Sequence, residues 1–360
     1  MSKPSMILVI ILTLLLALAV ALVAIFHHPA FGPHPFGGGG KPVSSHYREG
    51  RFQNELSTPQ FTGERSSGLS AMWKFLTDRK GERAPKTPVE IVKTDLQALP
   101  VESDWFVWFG HSSYLFSIGG NRVLVDPVLK MEFPSSLMLK PFPGTDYYQP
   151  AMMPEIDLLV ITHEHWDHMD YATLRELKPK IKHIICPLGI AEYMTYWGFP
   201  KEIITEMDWY EAGEWANGRT EKVCFTCLPT RHFSNRLLGG ANQTLWASFM
   251  LESKGRKVYI GGDGGYDDRF TRIRGMFGEV DLAVMENGQY NTNWAYIHML
   301  PKDLEQAMLD LQAKQYITVH HDKFSLAPHN WSEPDSIAHA IAGRDRLLVL
   351  DQPIGSVIYW

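Results

Sequence analysis

The distribution of apolar and polar residues divides the chain into three parts. Residues 6–26 form one uninterrupted apolar run, residues 29–47 have no apolar period and are rich in glycine and proline, and short apolar runs recur from residue 104 onward. These patterns are typical of a membrane-spanning helix, a flexible linker and a series of strands, respectively. We therefore predict a membrane anchor at 1–28, a linker at 29–47 and a folded domain at 48–360.

Ten apolar runs in the third part have the length and the flanking turn residues of β-strands. They are DWFVWF, SYLFSI, RVLVDP, DLLVIT, HIICP, KVCFTCL, WASFML, KVYIGG, DLAVME and ITVHH. Helical spacing predicts helices at 171–178, at 301–312, where the helix opens with Pro301, and around 68–79. Strands that alternate with helices predict a layered α/β domain.

The apolar run at 6–26 contains no charged residue, and a helix of this length spans roughly 31 Å, the thickness of the hydrocarbon core of a bilayer. A cleaved signal peptide is the alternative, because Ala19 and Ala21 offer a cleavage site, but the apolar core of a signal peptide is usually shorter. Lys3 precedes the run, which favours an amino terminus inside the cell. The folded domain is then expected outside the cytoplasm.

Composition and charge indicate a globular protein and argue against a nucleic-acid partner. Of the 360 residues 45% are hydrophobic and 21% are charged, which is ordinary for a globular protein. The formal net charge of −6 leaves no basic excess of the kind that binds a phosphate backbone. We therefore expect no nucleic-acid partner.

The segment DLLVITHEHWDHMD at 157–170 carries the candidate chemistry. His163, His165, Asp167 and His168 follow directly after an apolar strand. On extended backbone the side chains of His163 and His165 project to the same side of the chain, which suits one metal ion. Asp167 and His168 lie past a bend, where they can reach a second ion. A polar loop that is rich in histidine by chance is the alternative, but solvated loops rarely contain ligands at this density.

Further candidate ligands follow later strands. His232 comes after CLPT, Asp263 after KVYIG, and His320 and His321 after QYITV. An α/β scaffold gathers such residues at one edge of its sheets, so we expect them beside the first loop. Four glycines that allow tight turns surround Asp263: Gly261, Gly262, Gly264 and Gly265.

These motifs resemble the metallo-β-lactamase superfamily and, within it, the N-acylphosphatidylethanolamine-hydrolysing phospholipases D and their bacterial relatives. The resemblance covers roughly residues 48–360 and is carried by GRFQNELSTP, WFGHSSYL, RVLVDPVL, HEHWDHMDY, TLWASF, GGDGGY, IHMLPKDLEQAM and VHHDKFSLA. It implies a four-layer αββα sandwich and a hydrolase with two divalent metal ions. The sequence departs from the family pattern at HDKF and GDGG, which leaves the metal ligands intact but affects the substrate pocket.

The resemblance also implies residue roles. The implied metal ligands are His163, His165 and His232 for one ion, Asp167, His168 and His320 for the other, and Asp263 as the bridge. The implied catalytic residues are Asp167, Asp263 and His298. The expected substrate contacts are His111, Trp166, Tyr266 and His298. For His111, a buried hydrogen-bonding role beside the site is the alternative. Zinc is the expected metal, with iron or manganese as alternatives, because such ligands accept several metals.

The expected activity is that of a phospholipase D on N-acylphosphatidylethanolamine-like lipids. Two divalent ions about 3.5 to 4 Å apart lower the pKa of a bridging water, so a metal-bridging hydroxide is the expected nucleophile. The alternatives are a lactonase or sugar-phosphate hydrolase of the same fold and a non-catalytic metal-binding membrane protein. An apolar, aromatic pocket would favour lipid, whereas basic groups such as Arg231, Arg236 and Lys323 in the pocket would favour sugar phosphate.

The expected partners are a phospholipid or other small-molecule substrate and the membrane that the N-terminal helix enters. The apolar run and the position of Lys3 predict a single-pass protein, in a bacterium one of the inner membrane with its catalytic domain on the periplasmic side. A homodimer is a further expectation.

Overall fold

The computed structural model describes residues 3–36, 40, 42–62, 81–218, 220–236, 240–344 and 346–360. The first element, α1 (Lys3–Phe26), contains an 18-residue stretch with a mean hydropathy of 3.2 that is not buried in the described part of the chain. This helix is long and apolar enough to cross a membrane. The helix predicted around 68–79 lies outside the described residues.

Two mixed β-sheets and one short hairpin form the framework of the domain. The hairpin pairs β1 (Tyr47–Arg48) with β2 (Arg51–Phe52). The first sheet has the spatial order β15 (Val357–Tyr359), β3 (Trp105–Trp108), β4 (Tyr114–Ile118), β5 (Asn121–Val125), β6 (Ile156–Val160), β7 (Ile181–Pro187) and β8 (Ile204–Met207). The second sheet has the order β14 (Gln315–Val319), β13 (Leu282–Glu286), β12 (Arg256–Ile260), β11 (Ser248–Ser253), β10 (Val223–Leu228) and β9 (Ala212–Trp215). Each of the ten predicted runs overlaps one of these strands.

Both sheets change from antiparallel to parallel pairing along the chain. In the first sheet β3, β4 and β5 pair antiparallel, and β5 to β8 pair parallel. In the second sheet β9 to β12 pair antiparallel, and β12, β13 and β14 pair parallel. The parallel strands of each sheet therefore end at a common edge, where loops can gather functional residues.

Helices cover the outer faces of both sheets. The helices beside the first sheet are α2 (Tyr171–Leu177) and α3 (Ile190–Tyr196), and those beside the second are α4 (Arg269–Phe277), α5 (Pro301–Leu311) and α6 (Glu333–Ala342). Strand β12 shows the layering, because Val258 and Ile260 belong to the core between the sheets, whereas Tyr259 packs with the helices α4 and α5. Strands that are covered on both faces have consecutive apolar residues, as β12 has from Val258 to Ile260. The predicted four-layer αββα sandwich is confirmed.

The segment predicted as a linker packs against the domain in its first part. Pro29–Phe31 form a short 3₁₀ turn in which Ala30 is buried. The indole nitrogen of Trp197 donates to the carbonyl of Pro29 at 2.8 Å, and Nε of Arg236 donates to the carbonyl of Ala30 at 3.0 Å. The structure differs here from the predicted flexible linker, because tertiary hydrogen bonds fix backbone that a Gly- and Pro-rich composition leaves free. The domain boundaries stay predictions.

Candidate metal centre

The metal-ligand loop begins where β6 ends and is held at both ends by carboxylates. Because β5 and β6 are parallel, Asp126 after β5 lies beside the start of the loop, and it accepts hydrogen bonds from the backbone nitrogen and the hydroxyl of Thr162 at 2.8 and 2.6 Å. The loop ends at Asp170, the N-cap of α2, which accepts from the backbone nitrogen of Thr173 at 2.9 Å. Hydrogen bonds within the protein therefore fix both ends of the loop.

A first cluster contains three histidine rings. Nε2 of His163 lies 2.9 Å from Nδ1 of His165, and Nε2 of His232 lies 3.2 Å from the same Nδ1 atom. The second ring nitrogen of two of these histidines has its own partner. Nδ1 of His163 lies 2.9 Å from the hydroxyl of Thr162, and Nδ1 of His232 donates to the carbonyl of Ile297 at 2.7 Å. Three ring nitrogens thus converge at distances suited to one metal ion.

A second cluster lies beside the first and contains His111, Asp167, His168 and His320. Nδ1 of His168 donates to Asp126 at 2.8 Å, which turns Nε2 of the same ring toward the cluster. The Nε2 atoms of His168 and His320 are buried and make no well-directed hydrogen bond among the described residues, although carboxylate oxygens of Asp167 and Asp263 lie 3.1 to 3.7 Å away. Buried ring nitrogens that converge with carboxylates in this way fit a site for a cation.

Asp263 lies between the two clusters. Its Oδ2 atom is 3.2 and 3.1 Å from Nε2 of His168 and His320, and 3.9 Å from Nε2 of both His163 and His232. The turn that carries it leaves no space for larger residues, because a Cβ atom on Gly264 would lie 2.0 Å from the hydroxyl oxygen of Thr230. One carboxylate oxygen can therefore reach ions in both clusters.

The electrostatics differ between the two clusters. Burial lowers the pKa of His163 and His232 well below the usual range and lowers that of His165 to about 4, so these rings are neutral, the form that coordinates a cation. Burial alone would raise the pKa of Asp167 and Asp263, but the neighbouring His168 and His320 hold both pKa values well below the usual range. Burial alone would lower the pKa of His168 and His320, but the same carboxylates raise the pKa of His168 well above the usual range and that of His320 to about 10. A cation bound between the ionised carboxylates would therefore displace a proton from each of these two rings.

His298 lies at the same centre and has a buried partner. Its Nδ1 atom donates to Oε1 of Glu286 at 2.6 Å, and Oε2 of the same carboxylate accepts from the backbone nitrogen of Gly264 at 2.6 Å. Glu286 and Asp126 were not predicted from the sequence. Both stand at the carboxyl end of a strand, which is the signal that pointed to Asp263 and could have identified them.

The structure does not bring three predicted substrate contacts to the cavity. His111 is fully buried, and its Nε2 donates to Asp167 at 2.8 Å. This agrees with the alternative prediction, a buried histidine that forms a hydrogen bond beside the site. Trp166 packs against Phe31 with ring centroids 5.1 Å apart. The hydroxyl of Tyr266 donates to Asp310 on α5 at 2.6 Å. His321 is not at the centre either, because it is buried beside Asp322 and Asp335.

A cavity of about 290 Å³ opens at the metal centre. Its polar floor and apolar walls are formed by Gln60, Phe61, His165, Asp167, Phe233, Asp263, Gln289, Trp294, Ile297, His298, His320 and Leu326. None of the described lining residues is a lysine or an arginine. Arg231 stacks on Tyr296 at 4.1 Å, Arg236 lies behind the metal-ligand loop, and Lys323 donates to the buried carbonyls of Phe109 and Val128.

An αββα sandwich with two His/Asp clusters at one edge of its sheets defines a metallohydrolase of the metallo-β-lactamase type. In agreement, residues 121–321 match the family described as the beta-lactamase superfamily domain. This match extends over more than half of the chain. The chain therefore belongs to the metallo-β-lactamase superfamily of hydrolases.

Three known proteins illustrate the relationship. An uncharacterised protein of Mycobacterium tuberculosis is 34% identical over 300 residues, which are 81% of this chain and 78% of that protein. The N-acyl-phosphatidylethanolamine-hydrolyzing phospholipase D 1 of Caenorhabditis elegans is 27% identical over 304 residues, 78% of this chain and 82% of the enzyme. A solved metallo hydrolase from Ignicoccus hospitalis has a TM-score of 0.53 and 18% identity over 72% of this chain and 98% of its own. The last similarity supports the fold alone.

Proposed function

We propose that this hydrolase cleaves N-acylphosphatidylethanolamine-like lipids in the manner of a phospholipase D. The observation that carries the proposal is the composition of the cavity, whose walls include Phe61, Phe233, Trp294, Ile297 and Leu326. Acyl chains require apolar walls, whereas a sugar phosphate would favour lysine or arginine side chains, and none of the described lining residues is a lysine or an arginine. The similarity to the Caenorhabditis elegans enzyme supports the same substrate class.

The proposal assigns the ligands to two divalent ions, for which we propose zinc, with iron or manganese as alternatives. His163, His165 and His232 would hold one ion, Asp167, His168 and His320 would hold the other, and Asp263 would be shared between them. When bound, such a pair supplies an activated water at neutral pH and neutralises charge on the phosphate oxygens.

The residues of the chain contribute positioning and a proton. Glu286 occupies Nδ1 of His298, so Nε2 is the ring nitrogen that remains for the substrate. From Nε2 a proton can pass to the leaving oxygen as the bond between phosphorus and the ethanolamine oxygen breaks. The water oxygen stays on phosphorus, and the products are phosphatidic acid and an N-acylethanolamine. Asp167 and Asp263 act through the ions that they hold.

We further propose that α1 stays in the membrane and holds the domain on the periplasmic side of a bacterial inner membrane. This proposal is supported by the length and hydropathy of the helix. Tethering concentrates the enzyme beside a water-insoluble substrate, which raises the frequency of encounter. A homodimer stays a prediction.

The test is product identification by mass spectrometry after metal-loaded protein acts on N-acylated and plain phosphatidylethanolamine in mixed micelles. An Asp263→Asn variant serves as the control. We expect phosphatidic acid from the wild type and none from the variant. Absence of phosphatidic acid from protein that carries two metal ions would contradict the proposal, and lactones and sugar phosphates would then be assayed.

A further inference from the structure

The membrane helix ends against one particular face of the domain. The rings of Phe26, the last residue of α1, and Phe31 lie 5.6 Å apart, and Phe31 in turn packs on Trp166 of the metal-ligand loop. His28 makes edge contacts with Phe133 and Tyr171, with ring centroids 5.6 and 6.1 Å apart. Together with the hydrogen bonds at 29–30, these contacts fix where the chain leaves the domain and enters the helix.

A loop at residues 131–140, which we call the anchor-proximal loop, exposes large apolar side chains at this face. Phe133, Leu137 and Met138 are 41%, 68% and 53% exposed. The loop is nevertheless ordered by its own contacts, since the hydroxyl of Ser135 donates to Asp170 at 2.9 Å and the backbone of Leu139 closes a turn at 2.8 Å. An ordered loop that exposes several large apolar side chains to solvent marks a surface that contacts an apolar partner.

We propose that the anchor-proximal loop inserts into the leaflet of the bilayer from which α1 emerges, so that this face of the domain rests on the membrane. The inference depends on the membrane anchor of the proposed function. The bilayer is the occupant that the contacts favour, because Phe133 touches His28, two residues beyond the end of the helix.

An apolar cluster lies between this loop and the cavity. Leu139 of the loop is buried with Val128 and Phe324, and Trp166 and Leu326 pack against the same cluster. Leu326 also lines the cavity. Because Trp166 and Leu326 are only half buried, they offer apolar surface between the loop and the cavity against which the chains of an approaching lipid can lie. This arrangement gives Trp166 a place in the approach to the cavity and not in its wall.

The first test measures depth in the membrane. The full chain is reconstituted into vesicles of phosphatidylethanolamine and phosphatidylglycerol with a fluorescent NBD label on Leu137→Cys. Met276→Cys is the matched control, because Met276 is 52% exposed on α4. Both variants carry Cys224→Ser, since Cys224 is only half buried while Cys186 and Cys227 are buried.

We expect doxyl-labelled lipid to quench the label at 137 and to leave the label at 276 unchanged. Equal quenching at both positions would overturn the proposal. The proposal would also be overturned if aqueous iodide and doxyl-labelled lipid both failed to quench the label at 137, because a protein would then cover the loop. This readout needs no turnover, so it can fail or succeed independently of the proposed function.

The second test separates docking from chemistry. The double variant Leu137→Glu and Met138→Glu should lose turnover of lipid in vesicles but keep its metal content and its hydrolysis of a soluble phosphodiester, bis(p-nitrophenyl) phosphate. Met276→Glu should keep all three properties. Unchanged turnover of vesicle lipid in the double variant would contradict insertion of the loop.

Discussion

Two buried carboxylates, Asp126 and Glu286, orient histidines of the centre without belonging to either ligand set. Asp126 holds Nδ1 of His168, and Glu286 holds Nδ1 of His298. Each carboxylate also accepts a backbone N–H, so its own position is fixed. Partners of this kind set the ring orientation and the basicity of the nitrogen that faces the metal or the substrate. Their removal should therefore affect function more than folding.

At the residue scale we predict that Asp126→Asn weakens metal binding by about 10- to 100-fold, because His168 loses the acceptor that orients its ring. Competition with a chelating dye measures the affinity. Asp281→Asn is the control, since Asp281 is also buried but pairs with Lys314 and the backbone of Lys257 away from the centre. An Asp126→Asn protein with the metal affinity of the control would contradict this role.

We also predict that Glu286→Gln lowers kcat by roughly 10²- to 10⁴-fold, the range for loss of general acid catalysis, while both metal ions are retained. The reason is that Nδ1 of His298 loses its carboxylate partner. Steady-state kinetics and metal analysis measure the two quantities. Combined with His298→Ala, the substitution should cost little more than His298→Ala alone. Additive losses would mean that Glu286 acts independently of His298.

At the element scale, the strands were predictable because both faces of their sheets are covered. Runs such as β6 and β13 are buried along their whole length and therefore read as continuous apolar segments. The edge strands β8 and β9 escaped prediction, since ITEM and AGEW are largely half exposed and have little apolar character. Helix α3 begins after Gly189 without a side-chain cap, so its start carries no local signal.

The two His/Asp clusters were predictable for the same reason, because each of their residues follows a recognisable strand. The residues that line the cavity were less predictable. Tyr266 stands only three residues after Asp263, yet its hydroxyl donates to Asp310 on helix α5 and not toward the cavity. The backbone turns at the centre are equally invisible in the sequence, since His111, Asp126 and His320 all have positive φ values that tertiary contacts impose.

The turn between β12 and α4 yields an element-scale prediction. Gly264→Ala should lower the free energy of unfolding by about 1 to 3 kcal/mol, because the new methyl group meets the hydroxyl of Thr230, which itself donates to the carbonyl of Asp263. Activity should fall as well. Gly275→Ala in α4 is the matched control, since nothing lies within 4 Å of its Cβ position, and it should raise stability by up to about 1 kcal/mol. Urea unfolding compares the two, and equal stabilities would contradict the packing argument.

At the scale of the whole molecule, the centre joins the two sheets. The loop with His163, His165, Asp167 and His168 follows β6 of the first sheet, whereas His232, Asp263 and His320 follow β10, β12 and β14 of the second. Each proposed ion takes ligands from both sheets. Bound metal should therefore stabilise the contact between the sheets as well as create the active site, because the ligands converge only in the folded chain.

Metal removal should consequently destabilise the whole domain and not only abolish activity. Free metal at 100 times its dissociation constant stabilises the folded state by about 2.7 kcal/mol, and at 1,000 times by about 4.1 kcal/mol. We expect the midpoint of thermal unfolding to fall after dialysis against a chelator and to recover when zinc is added. Asp263→Asn, which lacks the carboxylate shared by the clusters, should show a smaller response. Identical midpoints for metal-loaded and metal-free wild type would mean that the two sheets are held together by their apolar core alone, and that the ions serve only the chemistry.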